Sequence, residues 1–246
     1  MQVLTTLLFA GLALCAYGLP SKRSVGGEDA PDGKYLYMVS LRYNGKHICT
    51  GTILNKRYIL TSALCTVNTP YPGLTAHVGV RRIEEAGAQY RVVSFIRHPK
   101  FEAFNYVNDV AVLRVEHDIV FNDKVQPVQL VSEKPKNEVY NVVLAGWGRT
   151  LDDGRNYNHM KVMDYVTTTE KECKTIYPEE NSTHICTSKQ RRHGPCFGDF
   201  GGPLVNEEGK QVGILSNGFY VCYADYPLAF SSIPYYYQFI KENSKV

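Results

Sequence analysis

A glycine-rich stretch near the C-terminal end constrains this chain more than any other part of its sequence. Residues 194–203 read GPCFGDFGGP and lead directly into the apolar pair Leu204 and Val205. Small residues allow successive backbone N–H groups to point at one spot, where an oxyanion would be stabilised. A nucleophile belongs at the mouth of that spot, but the residue presented there is Phe200, whose ring cannot attack a carbonyl. The stretch therefore indicates a hydrolase-like loop without hydrolytic chemistry.

The N-terminal residues 1–18 have the features of a secretory signal peptide. Residues 3–14 are largely apolar, and the small residues Ala16 and Gly18 follow them. Such a segment is too short to span a bilayer, so we expect its removal and a secreted, extracellular protein without a membrane span. Residues 19–23, LPSKR, then form a short pro-segment, which leaves 24–246 as the mature domain.

Cysteine usage agrees with secretion. Of the seven cysteines, Cys15 lies within the signal peptide, and an even number remains in the mature chain. In an oxidising compartment this indicates three disulfide bonds, although spacing alone leaves fifteen pairings open. Free buried thiols are the alternative.

Short strands separated by turn signals predict an all-β chain. The pair Asn44 and Gly45, placed between two alternating segments, is the strongest hairpin signal. Similar short segments recur in both halves, a spacing that favours a barrel or a sandwich. A helix is expected over residues 235–243, with Pro234 opening it. Three residues would share its apolar face: Ile233, Tyr237 and Ile240.

Several motifs in the same order resemble those of the chymotrypsin-like (trypsin-like) serine proteases, peptidase family S1, and are most similar to insect chymotrypsin-like proteins. In that family, serine occupies the position of Phe200. The other matching motifs are Val25-Gly26-Gly27, Thr61-Ser62-Ala63-Leu64-Cys65, Asn108-Asp109-Val110-Ala111-Val112-Leu113 and Gly146-Trp147-Gly148. The resemblance covers almost all of the chain after residue 23. It implies a chymotrypsin-like fold of two packed six-stranded antiparallel β-barrels with a C-terminal helix, divided near residue 130.

The resemblance also implies cross-links and a zymogen-type activation. In the family, cleavage creates an apolar N-terminus whose ammonium pairs with the aspartate of the nucleophile loop. Here these positions are Ser24, after a cut at Arg23, and Asp199. Serine buries less apolar area than the usual isoleucine or valine, which removes roughly 1–2 kcal/mol of insertion energy. The implied disulfides are Cys49–Cys65, Cys173–Cys186 and Cys196–Cys222.

Two of the three catalytic positions carry residues without catalytic chemistry. The family places a histidine base before the cysteine of a Thr-Ala-Ala-His-Cys motif, and an aspartate orients it. In this chain the base position is Leu64, the orienting aspartate is retained as Asp109, and the nucleophile position is Phe200. Loss of base or nucleophile lowers turnover roughly a million-fold in such enzymes. The oxyanion donors would be the N–H groups of Gly198 and Phe200.

The implied substrate pocket has no carboxylate at its floor, so it does not select lysine or arginine. Leu228 stands where open pockets usually have glycine, which predicts a narrowed or closed pocket. A small apolar pocket, as in elastase-like enzymes, is the alternative. The pocket-equivalent residues are Gly194, Pro195, Ser216, Asn217, Gly218 and Leu228.

These features predict an inactive serine protease homologue that acts by binding a protein, such as a protease, a substrate or an inhibitor. Modulation of a proteolytic or immune cascade, or a place in venom or saliva, would fit. The alternatives are a weak or altered chymotrypsin-like endopeptidase and a passive structural or storage protein.

Other partners are not indicated. No histidine has metal-ligand spacing, so no metal or cofactor is expected, and a net charge of +3 does not suggest nucleic acid. We expect a monomer. The sequon Asn181-Ser182-Thr183 predicts glycosylation, with an unmodified loop as the alternative.

Overall fold

The computed structural model describes residues 27–149, 158–178, 183–188, 194–217 and 227–245. The predicted signal peptide and pro-segment lie outside the described residues. So do four predicted site residues: Ser24, Asn181, Gly218 and Cys222.

The described strands of the first half of the chain are β1 (Glu28–Asp29), β2 (Met38–Tyr43), β3 (Lys46–Ile53), β4 (Tyr58–Thr61), β5 (Leu74–Val78), β6 (Ala88–Arg97) and β7 (Ala111–Val115). Strands β2 to β7 form a closed antiparallel barrel in the order β2-β3-β4-β7-β6-β5. The predicted hairpin joins β2 to β3, and Asn44 and Gly45 have φ angles of 49° and 78°. Positive φ at both residues is what a two-residue hairpin turn of this kind requires.

Inward-facing aliphatic residues fill this barrel. Leu41, Ile59 and Leu113 come from three different strands, and all are completely buried. A disulfide joins Cys49 on β3 to Cys65, which lies in the 3-10 turn Ala63–Thr66 after β4. This cross-link fixes the turn against the barrel wall.

The described elements of the second half of the chain are β8 (Gln129–Leu130), β9 (Asn141–Gly146), β10 (Lys161–Val166), α1 (Glu170–Ile176), β11 (His184–Cys186), β12 (Pro203–Asn206), β13 (Lys210–Asn217), β14 (Ala229–Ser232) and α2 (Ile233–Ser244). Their strands form a second sheet, whose central order is β10-β9-β12-β13-β14-β11. Strand β1 extends this sheet beside β10, and β8 pairs in parallel with β13.

A single bridge closes the six central strands into a second barrel. Thr167, just beyond β10, forms an isolated antiparallel bridge with Thr187, just beyond β11. Beside it, Ser188 N–H donates to the Val166 carbonyl at 2.8 Å. The Cys173–Cys186 disulfide ties α1 to the same corner. The predicted all-β fold of two barrels with a C-terminal helix is therefore confirmed.

The short helix α1 was not predicted, although the sequence carries its signal. Thr169 precedes it, and the Thr169 hydroxyl accepts from the Glu172 N–H while the Glu172 carboxylate accepts from the Thr169 N–H. This reciprocal capping box satisfies two N–H groups that a helix start leaves unpaired.

The predicted apolar face of the C-terminal helix was wrong at one residue. The helix begins at Ile233, and its buried side chains include Tyr236 rather than the half-buried Tyr237. The reason is a polar contact at the barrel junction, where the Tyr236 hydroxyl donates to Asn108 Oδ1 at 3.3 Å. Neither described helix is long and apolar enough to cross a membrane.

One apolar cluster joins the two barrels and the helix. It includes Leu60 and Val112 from the first barrel, Ala145 and Ile214 from the second, and Tyr236 from α2. The catalytic-equivalent positions are carried by the segments that adjoin this junction, so the two barrels together build the site.

Candidate functional site

Local chain geometry brings the three triad-equivalent positions together. Leu64 lies in the 3-10 turn after β4, and Asp109 directly precedes the residues that enter β7, which pairs with β4. Phe200 is held against the first barrel because Thr50 N–H donates to its carbonyl at 2.9 Å. The next residue is Gly201, where any side chain would collide with Thr61 and the Thr50 backbone. Glycine there permits the close approach of the loop to the barrel.

Asp109 is completely buried, yet its carboxylate has several donors. Ser62 Oγ lies 2.7 and 2.6 Å from the two carboxylate oxygens. Ser216 Oγ donates to Oδ2 at 2.7 Å, and Leu64 N–H donates to Oδ1 at 2.8 Å. Burial raises the pKa of Asp109, while these hydrogen bonds act in the opposite direction. The carboxylate is thus satisfied without an imidazole.

Ser62 is the site residue that the sequence reasoning missed. It stands where the family motif has its first alanine, and that difference was visible in the sequence. The Ser62 hydroxyl accepts from Leu64 N–H at 3.1 Å, which caps the 3-10 turn, and it donates to Asp109. A serine therefore supplies the carboxylate with a donor beside Leu64, which stands at the predicted base position.

Asp109 also connects the two barrels. Ser216 comes from β13, and Ser231 from β14 donates through its hydroxyl to the Asp109 main-chain carbonyl at 2.8 Å. Ser62 comes from the first barrel. Ser216 was predicted as a pocket wall, and its side chain in fact points at this carboxylate.

Phe200 and Leu64 place apolar side chains where a triad needs proton transfer. Phe200 is half-buried and packs against the core of the first barrel. Its ring centroid lies 6.3 Å from that of Phe197, with the planes tilted by 59°. Leu64 is also half-buried. Neither residue can accept a proton or attack a carbonyl.

The oxyanion-equivalent loop nevertheless has an ordered geometry. Gly198 has a φ of 107°, which favours glycine, and its carbonyl accepts from His47 Nε2 at 3.0 Å and from Thr50 Oγ1 at 2.9 Å. Within the described residues, the N–H groups of Gly198 and Phe200 have no acceptor. They are the two donors that the sequence assigned to the oxyanion site.

His47 is held by hydrogen bonds at both ring nitrogens. Its Nε2 must donate to the Gly198 carbonyl, so its Nδ1 accepts from Ser40 Oγ at 2.9 Å. Arg42 Nε in turn donates to Ser40 Oγ at 3.1 Å. Burial lowers the pKa of His47 to about 4, so the ring is neutral at physiological pH. Both ring nitrogens are occupied.

Asp199 lies at the end of the same loop. It is buried, and its two oxygens accept from Gly148 N–H at 2.6 Å and from Cys196 N–H at 2.9 Å. Side chains at Gly146 or Gly148 would collide with this carboxylate, so glycine is required there. Burial raises the pKa of Asp199 to about 6. Its predicted partner, Ser24, lies outside the described residues.

We expect Asp199 to make the chain that retains residues 19–23 less stable as pH rises from about 4 to about 6. Its native pKa of about 6 lies above the ordinary 3.8, so the folded state keeps a proton that the unfolded state has lost. The stability that this proton contributes is fully present below the ordinary pKa and is lost as pH rises above the native pKa. The free energy of unfolding changes by a contribution on the order of 3 kcal/mol between these limits. His47 and His184, whose pKa values burial lowers to about 4, act with the opposite sign.

The difference in the free energy of unfolding between wild type and Asp199→Asn isolates the contribution of this carboxyl group. Urea unfolding of both chains, with residues 19–23 retained, should give a stability difference that changes between acidic and neutral pH. A difference that stays constant across this range would show that Asp199 does not hold its proton in the folded chain.

The pocket-equivalent residues are largely buried. Gly194 and Pro195 are buried, and Leu228 is 3% exposed. Leu228 packs in one cluster with Leu215 and Phe230, on the two strands that border this region. Its side chain therefore lies in the core of the second barrel. Among the described residues, no group of three or more His, Cys, Asp or Glu side chains is arranged to hold a metal ion.

Comparison with known proteins gives consistent relatives. The model of the trypsin family matches residues 24–240. Chymotrypsin-2 of Vespa crabro is 36% identical over 219 residues, which cover 89% of this chain and 99% of that protein. Trypsin epsilon of Drosophila erecta is 27% identical over 228 residues, or 91% of this chain and 88% of that protein.

Among solved structures, human heparin binding protein superposes with a TM-score of 0.78 at 23% sequence identity, covering 88% of this chain and 95% of that one. A mutant of the same human protein gives a TM-score of 0.76 at the same identity, with 88% and 94% covered. This likeness concerns the fold.

Proposed function

The chain belongs to the trypsin family of serine endopeptidases, and from this premise we propose that it is a catalytically inactive member that acts by binding a protein. The observation that carries the proposal is the Asp109 carboxylate. Ser62, Ser216 and the Leu64 N–H supply its donors, and the base and nucleophile positions are occupied by Leu64 and Phe200. A site arranged in this way has neither a nucleophile nor a base that could deprotonate one.

Two histidines of the described part of the chain, His47 and His98, are not placed to act as the missing base. His47 is neutral and hydrogen-bonded at both nitrogens. His98 packs against Tyr236 and Phe239, with ring centroids 5.5 and 5.0 Å away. The His47 ring is held by hydrogen bonds and the His98 ring by aromatic packing. Neither is therefore placed as a catalytic base, which supports the proposed inactivity.

Burial of Leu228 also supports the proposal, because this residue belongs to the predicted substrate pocket. Leu228 is 3% exposed and belongs to one core cluster with Leu215 and Phe230, and the family resemblance assigns it to the wall of the substrate pocket. We therefore expect the specificity pocket to be closed, so restoring the triad alone would not restore peptide turnover.

The rim of the filled cleft offers a surface for a partner. Phe197 is 58% exposed, and the Arg149 guanidinium lies 5.4 Å from its ring centroid. Arg149 is exposed and forms no ion pair within the described parts of the chain. Exposed aromatic and arginine side chains are the residues that most often dominate protein interfaces. We define Arg149, Phe197 and Phe200 as the rim patch.

A secreted pseudoprotease of this kind would compete with active relatives. It would bind a protease's substrate or inhibitor at the rim patch and leave it intact. The disulfides Cys49–Cys65 and Cys173–Cys186 give it a rigid scaffold suited to an extracellular fluid. Secretion, cleavage after Arg23, glycosylation at Asn181 and a monomeric state belong to this proposal.

The first test is turnover. We expect the mature protein to cleave no member of a broad peptide-substrate panel, with rates at least about a million-fold below those of an active chymotrypsin. Active insect chymotrypsin, assayed in parallel, is the positive control. Saturable turnover that co-purifies with the protein through several columns would contradict the proposal.

The second test is competition. The protein in molar excess should either restore an active chymotrypsin blocked by a protein inhibitor or slow its cleavage of a protein substrate. Phe197→Glu should weaken the effect at least about fivefold, because it places a charge in the rim patch. The matched control is Val120→Glu, at a residue that is 67% exposed in the segment after β7. No effect in either assay, or equal effects of both variants, would argue against binding at the rim patch.

A further inference from the structure

Hydrogen bonds from both barrels hold residues 197–201, which we call the site loop. The Phe197 carbonyl accepts from Arg149 N–H at 2.9 Å, and Arg149 follows the second-barrel strand β9. The Phe200 carbonyl accepts from Thr50 N–H, also at 2.9 Å, and Thr50 lies on β3 of the first barrel. The loop is therefore fixed near both of its ends.

The Gly198 carbonyl, between these two points, is bound by two side chains of β3. Thr50 Oγ1 donates to it at 2.9 Å, and His47 Nε2 donates to it at 3.0 Å. Thr50 is completely buried, so water does not compete for this hydroxyl group. Through its side chain and its main-chain N–H, Thr50 alone holds two residues of the site loop, Gly198 and Phe200.

The Asp199 carboxylate has its donors without an ammonium group. Gly148 N–H and Cys196 N–H donate to its two oxygens at 2.6 and 2.9 Å. In this chain Arg23 and Ser24 are joined by a peptide bond, so Ser24 has no ammonium that could pair with Asp199. The site loop therefore has this hydrogen-bonded geometry in a chain that has not been cleaved.

The residue after the predicted cleavage site agrees with a loop that needs no inserted N-terminus. Serine at position 24 buries less apolar area than the isoleucine or valine that is usual in the family. Its insertion would therefore stabilise the site loop less. A loop that Thr50 already holds does not depend on that contribution.

We propose that Thr50 is a positioning residue that fixes the site loop before any cleavage at Arg23, so that partner binding at the rim patch needs no proteolytic activation. The statement about binding rests on the proposed function, because Phe197 and Phe200 of the rim patch belong to this loop. The order of the loop itself does not depend on whether the protein binds a partner or has catalytic activity.

Hydrogen exchange, measured by mass spectrometry on a peptide that covers residues 197–202, tests the order of the loop. Three amides in this peptide donate to main-chain carbonyls, those of Asp199, Gly201 and Gly202. One chain begins at Ser24, and the other retains residues 19–23 with Arg23→Gln, which prevents trypsin-like cleavage. We expect the exchange rates of the two chains to agree within about threefold, because the same hydrogen bonds protect the loop in both.

Substitutions on β3 test the role of the Thr50 hydroxyl in the uncleaved chain. Thr50→Val, which keeps the shape of the side chain, should raise exchange of the loop at least about fivefold. Thr50→Ser keeps the hydroxyl and should preserve the protection. The matched control is Thr52→Val, because Thr52 is equally buried on β3 but its hydroxyl donates to Gln211 Oε1 at 2.9 Å. Thr50→Ala replaces Thr50→Val if the latter does not fold.

Two results would overturn the proposed role of Thr50. Exchange more than about threefold slower in the chain that begins at Ser24 would show that the new N-terminus orders the loop. Equal exchange in wild type and Thr50→Val would show that the hydroxyl does not position it.

The competition assay, repeated with the uncleaved Arg23→Gln chain, tests binding separately. We expect this chain to compete as strongly as the chain that begins at Ser24. Competition by the cleaved chain alone would contradict binding without activation. Competition by neither chain would contradict the proposed function, while the exchange rates would still decide whether Thr50 orders the loop.

Discussion

Asp109→Ala should destabilise the folded protein by about 3–5 kcal/mol, because it leaves several buried donors without an acceptor. The Ser62 and Ser216 hydroxyls and the Leu64 N–H all point at this carboxylate, and all three residues lie at the junction of the barrels. For a domain of this size the loss corresponds to a fall in melting temperature on the order of 10 °C.

The matched control for this experiment is Asp118→Ala. Asp118 pairs with Arg57 at 3.3 Å, but its side chain is 62% exposed. Solvent screens such pairs, so we expect a change within about 0.5 kcal/mol. Chemical denaturation of both variants measures the difference. A cost below about 1 kcal/mol for Asp109→Ala would mean that the carboxylate does not hold the barrels together.

The second large effect concerns restoration of the triad. We expect the double variant Leu64→His with Phe200→Ser to react slowly with a serine-directed fluorophosphonate probe. The Ser62 hydroxyl contacts both oxygens of Asp109, so it competes with an imidazole introduced at position 64. Adding Ser62→Ala should raise the labelling rate at least about tenfold, since the orienting carboxylate is worth up to about 10⁴ in such sites.

Controls separate this effect from simple changes of fold. Ser62→Ala in the native background should give no labelling, because Phe200 remains. Peptide turnover by the triple variant should stay low, since we propose that the specificity pocket is closed at Leu228. Equal labelling rates of the double and triple variants would show that Ser62 does not occupy the place of the imidazole.

Much of the fold was predictable because its signals are local. Asn44-Gly45 specifies a hairpin, and alternating apolar residues specify strands that bury one face, as the barrels confirm. The missed helix α1 had a local signal too, in Thr169 and Glu172. In the buried face of α2, Ile233 and Ile240 were predicted, but Tyr236 was not, because its contact with Asn108 depends on residues far apart in the chain.

The candidate site, like the fold, was predictable only where its signals are local in the sequence. The assignment of Leu64 and Phe200 to the base and nucleophile positions follows from the motifs that surround them, and it remains a prediction. What holds Asp109 was not evident, because Ser62, Ser216 and Ser231 come from three separate segments, and only packing of the barrels brings them to one carboxylate and its main-chain carbonyl. The role of Ser62, which stands where the family motif has alanine, therefore follows only from contacts with residues far away in the sequence.

The most direct test of inactivity is intact-mass analysis of the mature native protein after exposure to a fluorophosphonate probe, with the triple variant Ser62→Ala, Leu64→His and Phe200→Ser treated in parallel. We predict that the native protein gains no adduct and that the triple variant gains one, at position 200. An adduct on the native protein would show that it has an activated nucleophile, and the assignment of Leu64 and Phe200 to the catalytic positions would then be wrong.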